Sequence, residues 1–139
     1  MIRKILEEFD YVKIMIVGEL NLSGDLKEIS SKIITHAFVD WRILPELIAS
    51  VDINIAPIEE NIFNGAKSEV KWVEASLVKV PTIASNFGSF KDNIINGKTG
   101  ILCISLEDWY YALKKLINDE KLRTTIGQNS FEFCEMNEI

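Results

Sequence analysis

Five short apolar runs punctuate this chain, KIMIVGE, KIITHAFV, DINIAP, VPTIAS and TGILCI, with amphipathic stretches between them. Each run is too short and too evenly apolar for a surface helix. It reads as a strand covered on both faces, which is the habit of parallel sheets, and the intervening stretches supply the crossover helices. The fold class that follows is α/β: a three-layer α/β/α sandwich around a mainly parallel sheet of about five strands. The 139 residues fit one such domain, 1–139, with no room for a second. A domain near that size buries roughly 68–70% of its unfolded surface, enough for a real core.

The helical stretches carry their own start and stop signals. Ser105 followed by Asp108 forms a capping-box pattern, and Leu106, Trp109, Tyr110, Leu113, Leu116 and Ile117 share one side, so the spacing predicts a helix over 106–118. Asn118 and Asp119 interrupt it. A last helix is expected from about Glu120, burying Leu122 and Ile126, with the tail FEFCEMNEI frayed. Asp40 is placed to cap a short helix whose Ile43, Leu44, Leu47 and Ile48 point inward, with Pro45 in its tolerant first turn. No repeat or low-complexity tract divides the chain.

A net charge of −6, with no basic stripe carrying interleaved aromatics, argues against a nucleic-acid partner, although a local cationic pocket is compatible with it. Cys103 and Cys134 sit far apart without a Cys-x-x-Cys or Cys/His pattern, so neither a metal site nor a disulfide framework is expected, and a reducing compartment fits. Asp25, Glu59 and Glu60 are not spaced as metal ligands either. No apolar run approaches the ~20 residues of a membrane span, and MIRKILEEFD lacks a signal-peptide core. We expect no transmembrane segment and a cytoplasmic location. Peripheral attachment to a membrane through another part of a larger protein stays open.

The segment 61–93 carries the densest chemistry. Lys67, Lys71 and Glu74 recur at i, i+4 and i+7, so in a helix they share one face. Two cations near a helix start oppose the helix dipole, which invites an anion, and phosphate is the common occupant of exposed helix-start N–H groups. Glu74, further in, suits the paired hydroxyls of a ribose. A nucleoside diphosphate would engage both. The alternative is a solvated face with a weak Lys71–Glu74 pair. In open parallel sheets ligands bind beyond the carboxyl ends of the strands, and the segments 37–41, 57–67 and 85–98 fall there.

Other residues invite blander readings. His36, the one histidine, lies at the end of an apolar run without a Ser or Cys partner pattern and reads as structural. Trp72 and Trp109 read as core, and Trp41 as packed or bordering a ligand site. Gly88, Gly97 and Gly100 read as turn formers, with Gly88 also able to bring backbone close to a ligand.

Taken in order, KIMIVGE, LPELIASVDINIAP, AKSEVKWVEASLVKVPTIAS, NIINGKTGILC and EDWYYALKKLINDEKLRTTIGQNS resemble the C-terminal, donor-binding domain of GT-B retaining glycosyltransferases of the group 1 type. The resemblance covers nearly the whole chain and implies a Rossmann-like fold that binds a nucleotide sugar. It implies that Glu74 holds the ribose hydroxyls and that Ala66, Lys67 and Ser68 face the diphosphate. Lys71 and Asn64 belong to the pattern Asn-x-x-Lys-Ser-x-x-Lys-x-x-Glu that a similar subgroup shares. It further implies that backbone near Val39 meets the base and that neither metal nor cofactor is needed beyond the nucleoside diphosphate sugar; the position of Gly88 beyond the carboxyl ends of the strands suggests that it and its neighbours approach the sugar. No protein nucleophile is assigned, and the catalytic residue stays unknown.

Two departures qualify that picture. The family's motif has two glutamates eight positions apart, and Ala66 stands where the first belongs. The chain also lacks the Arg- and Lys-bearing unit that opens such domains and the N-terminal domain that supplies the acceptor site. It therefore looks like a fragment of a two-domain enzyme, inactive alone. The competing expectation is a non-catalytic α/β binding or interaction module. A receiver-like regulatory domain fits less well, since KIMIVGE offers only Glu19 as an acid.

Overall fold

Every predicted strand forms. The structure, a computed structural model, describes residues 1–17, 29–37, 40–57 and 69–137, and all that follows concerns those residues. They fall into two units, Met1–Leu44 and Pro45–Ile139.

In the first unit, helix α1 (Ile2–Glu8) buries Ile5 and Leu6. Its last carbonyls, those of Leu6 and Phe9, accept hydrogen bonds from Lys32 Nζ, so a cation closes the negative end of the helix dipole. Strands β1 (Ile14–Val17) and β2 (Ile33–His36) pair in parallel, Ile14 opposite Ile33 and Val17 opposite His36. Asp40 does not cap the next helix directly. Its carboxylate takes the Arg42 backbone N–H at 3.0 Å, and its carbonyl takes those of Ile43 and Leu44. The helix α2 (Leu44–Ala49) thus begins four residues after Asp40. Ile43 precedes it and is 50% exposed, so the expected inward stripe shrinks to half-buried Leu44, Leu47 and Ile48.

The second unit holds a parallel sheet in the order β3 (Asn54–Ala56), β4 (Thr82–Ser85), β5 (Ile101–Cys103), with Ala56 opposite Ala84 and Ala84 opposite Leu102. The five expected strands are all parallel, arranged as a pair and a triplet. Central β4 is buried along its whole length, as a strand covered on both faces must be. The helices α3 (Val70–Leu77) and α4 (Gly88–Asn93) carry the chain from β3 to β4 and from β4 to β5. Two more, α5 (Leu106–Asn118) and α6 (Glu120–Met136), follow the sheet.

Trp72 anchors α3. Its indole is fully buried among Ala56, Ala84, Phe90, Ile94 and Cys134, with Phe133 packed against the cluster. Its N–H donates to the Thr99 carbonyl at 2.9 Å, which satisfies the one polar atom that burial would otherwise strand. Helix α6 comes close enough for this at Gly127, where a Cβ would lie 2.2 Å from the Lys79 carbonyl oxygen. Lys79 itself ends α3 in the left-handed region, φ 61°, with its ammonium 4.8 Å from the centre of the Phe131 ring. This docking corrects the expectation of a frayed tail. The α6 helix runs through Phe131, Phe133 and buried Cys134 to Met136, because Phe133 and Cys134 pack beside Trp72.

The predicted helix 106–118 forms with those bounds and with its capping box: Ser105 Oγ accepts the Asp108 N–H, and Asp108 Oδ2 accepts the N–H groups of Ser105 and Ile104. The loop Asn96–Gly100 is a closed structural unit. Gly97, at φ 83°, donates to the Gly100 carbonyl, Thr99 Oγ1 takes the Ile95 N–H, and Asn96 Oδ1 takes that of Leu102. Gly97 is thus the turn former that the sequence suggests.

Candidate functional site

Glu74 sits on the outer flank of α3. Trp72, Ala75 and Ser76 occupy the buried side, whereas Val70, Lys71 and Leu77 are exposed and Glu74 is half-buried between these extremes. It forms no ion pair with Lys71 and no hydrogen bond with any described residue. A half-buried carboxylate without a partner among the described residues can accept hydrogen bonds from a ligand's hydroxyls.

Glu69 stands at the N-cap of α3 without a side-chain cap, the helix begins at Val70, and among the described residues helical spacing joins Lys71 and Glu74. Trp72 and Val73 donate to the Glu69 carbonyl; the Val70 and Lys71 N–H groups find no acceptor among the described residues. Lys71 is exposed, and its carbonyl takes the Asn54 Nδ2 hydrogen bond at 3.3 Å. Asn54 also donates to Thr82 Oγ1 at 3.1 Å, tying α3, β3 and β4 together. Asn64, Ala66, Lys67 and Ser68 lie outside the described residues, as does Val39.

Gly88 opens α4 three residues after β4, half-buried, with φ 59°, a conformation that disfavours any side chain. Between them, Asn86 continues the ladder by donating its N–H to the Cys103 carbonyl at 2.9 Å. Its side chain was not singled out from the sequence. An asparagine between a strand end and a glycine is the signal to look for.

Trp41 departs from the expectation of packing: it is 78% exposed, with the Arg42 guanidinium 5.9 Å from the centre of a ring. Arg42 is held in turn by two hydrogen bonds to Asp40, at 3.1 and 2.9 Å. Trp72 and Trp109 are core, as expected. His36 ends β2, half-buried.

The thiols are not available for nucleophilic work. Burial, with the Asp108 charge adding to it, pushes Cys103 up to about 11, and burial likewise raises Cys134. Both are free and buried. Among the described residues no group of His, Cys, Asp and Glu side chains is placed to hold a metal, and no helix is long and apolar enough to cross a membrane.

Residues 1–119 match the family model described as Glycosyl transferases group 1. The chain belongs to this family. CapM of Staphylococcus aureus, a capsular polysaccharide biosynthesis glycosyltransferase, is 41% identical over 59 residues, which are 41% of this chain and 16% of CapM. Among solved structures, the C-terminal domain of the group 1 protein LpcC from Francisella tularensis superposes with a TM-score of 0.73 at 23% identity, covering 98% of this chain and 74% of that one. Anabaena HepE, solved with UDP and glucose, gives a TM-score of 0.77 at 19% identity, covering 97% of this chain and 39% of HepE. These two likenesses establish a GT-B Rossmann-like fold. The chain spans less than half the length of CapM and of HepE.

Proposed function

We propose that the chain, as one domain over 1–139, binds the donor nucleotide sugar of a glycosyltransferase that moves a hexose to an acceptor with retained configuration. A separate N-terminal GT-B domain would bring the acceptor site, and the pair would work in the cytoplasm. The observation that carries this reading is Glu74: half-buried, unpartnered among the described residues, on the helix between β3 and β4 of a group 1 chain.

In this reading the Glu74 carboxylate accepts two hydrogen bonds from the ribose hydroxyls. Lys67, Ser68 and the backbone at Ala66 meet the diphosphate, with Asn64 beside them and Lys71 adding charge. Backbone at Val39 meets the base, and Gly88 admits the sugar close to the chain. Chemistry would come from stabilising the leaving diphosphate, and a preorganised, water-excluded cleft makes that effective. A lone half of such a cleft binds donor without transferring sugar.

Titration of the 139-residue chain with UDP-, GDP- and ADP-sugars tests the reading. HepE, known with UDP and glucose, makes UDP-glucose the first choice. One of the three donors is expected to bind, and Glu74→Ala to weaken it about 10-fold or more, the worth of a hydrogen bond to a charged group. Binding that ignores Glu74→Ala removes its assigned role. Silence toward all three favours a non-catalytic module.

A further inference from the structure

Asn86 carries an atom that the fold leaves idle. Its Oδ1 is fully buried and has no hydrogen-bond partner among the described residues. Two local uses common for an asparagine oxygen, capping the next helix and taking the N–H of the following residue, are not made. The next helix has Phe87 at its N-cap with no side-chain cap, and the Phe87 N–H donates instead to the Ser85 carbonyl at 2.8 Å. The polar neighbours in the same strand-tip and loop region are satisfied: Thr99 Oγ1 takes the Ile95 N–H and Asn96 Oδ1 that of Leu102. A buried acceptor without a donor is uncommon in folded proteins, and it costs more than a completed hydrogen bond returns.

We propose that Asn86 Oδ1 accepts a hydrogen bond from a hydroxyl of the donor's sugar and so favours the nucleotide sugar over the bare nucleoside diphosphate. This rests on the donor-binding reading given above. The chemistry of the idle atom narrows the partner, because an acceptor needs a donor, the ionised diphosphate group offers only acceptors, and in the donor-binding reading the ribose hydroxyls are taken by Glu74. Sugar hydroxyls offer donors in number. The position agrees: Asn86 directly follows the central strand at the carboxyl end of the sheet, where ligands of such folds bind, two residues before Gly88. Asn86 is itself half-buried, so its side chain stands at the border between the covered interior and the surface at the strand tip.

The test uses the 139-residue chain and three ligand pairs, UDP with UDP-glucose, GDP with GDP-mannose, and ADP with ADP-glucose, measured by calorimetry on wild type, Asn86→Leu and Asn86→Asp. Asn86→Leu should lose about 10-fold for the sugar form while the bare diphosphate changes less than about 2-fold. Its Tm should hold or rise, since an apolar group of similar shape relieves the stranded oxygen. Asn86→Asp keeps an acceptor and should keep the sugar-to-diphosphate preference within about 3-fold of wild type. Equal weakening of both forms by Asn86→Leu, an unchanged preference, or a fallen Tm without a changed preference overturns the assignment while leaving donor binding intact. A wild-type chain that binds none of the six ligands overturns both.

Discussion

Helices α3 and α5 border the same sheet, yet they begin in opposite ways. The start of α5 supplies its own anion: the Asp108 carboxylate takes two backbone N–H groups, and the Ser105 hydroxyl takes a third. The start of α3 has no side-chain cap and is held from the side, through Trp72, Asn54 and the approach of α6 at Gly127. A helix held by tertiary packing depends less on capping of its first N–H groups, and those of Val70 and Lys71 have no acceptor among the described residues. One helix start is capped by its own side chains, and the other has no side-chain cap among the described residues.

The sharpest way to break that contrast is Gly127→Ala. A Cβ 2.2 Å from a backbone oxygen cannot be accommodated by rotating a side chain. Urea unfolding should show a loss of about 3 kcal/mol or more, or no cooperative fold at all. A loss under about 1 kcal/mol would mean that the seam between α6 and the end of α3 is not what holds α3. Trp72→Phe removes the indole N–H, strands the Thr99 carbonyl and leaves a small void; about 2 kcal/mol is expected in the same measurement.

The contrasting helix responds to pH instead. Hydrogen bonds from the backbone of Ser105 and Ile104 hold the Asp108 carboxyl below its ordinary 3.8. A carboxyl depressed on folding stabilises fully above its unfolded pKa and loses that contribution as pH falls through the folded one. Wild type should therefore melt above Asp108→Asn at pH 7, with the gap closing below pH about 4. A gap that persists in acid would show the effect to be steric. The smallest effect belongs to Glu74→Ala, which should move stability by less than about 0.5 kcal/mol, because no described partner depends on that carboxylate.

Much of the scaffold was legible because burial on both faces writes continuous apolar runs, and because the Ser105/Asp108 box announces a helix start within the sequence itself. The arrangement of strands as a pair and a triplet has no such mark. The tail was misjudged because α6 owes its last turns to Phe133 and Cys134 meeting Trp72, a contact 61 residues away in the chain for Phe133. Trp41 does not pack as aromaticity suggests, because its position in a turn with Asp40 and Arg42 leaves it outside. The candidate site was legible as a helix face through Lys71 and Glu74. Lys67 lies outside the described residues, and the unpaired oxygen of Asn86 escaped the sequence because it is a property of surroundings.

The carboxamide of Asn96 has a consequence for the company this protein keeps. Strand β5 borders the triplet, and the Leu102 N–H that faces away from β4 is already engaged by Asn96 Oδ1. A foreign strand seeking to extend the sheet there meets a donor already occupied. The short border strand is thereby shielded from edge-to-edge aggregation, with one side chain standing in for the neighbour it excludes.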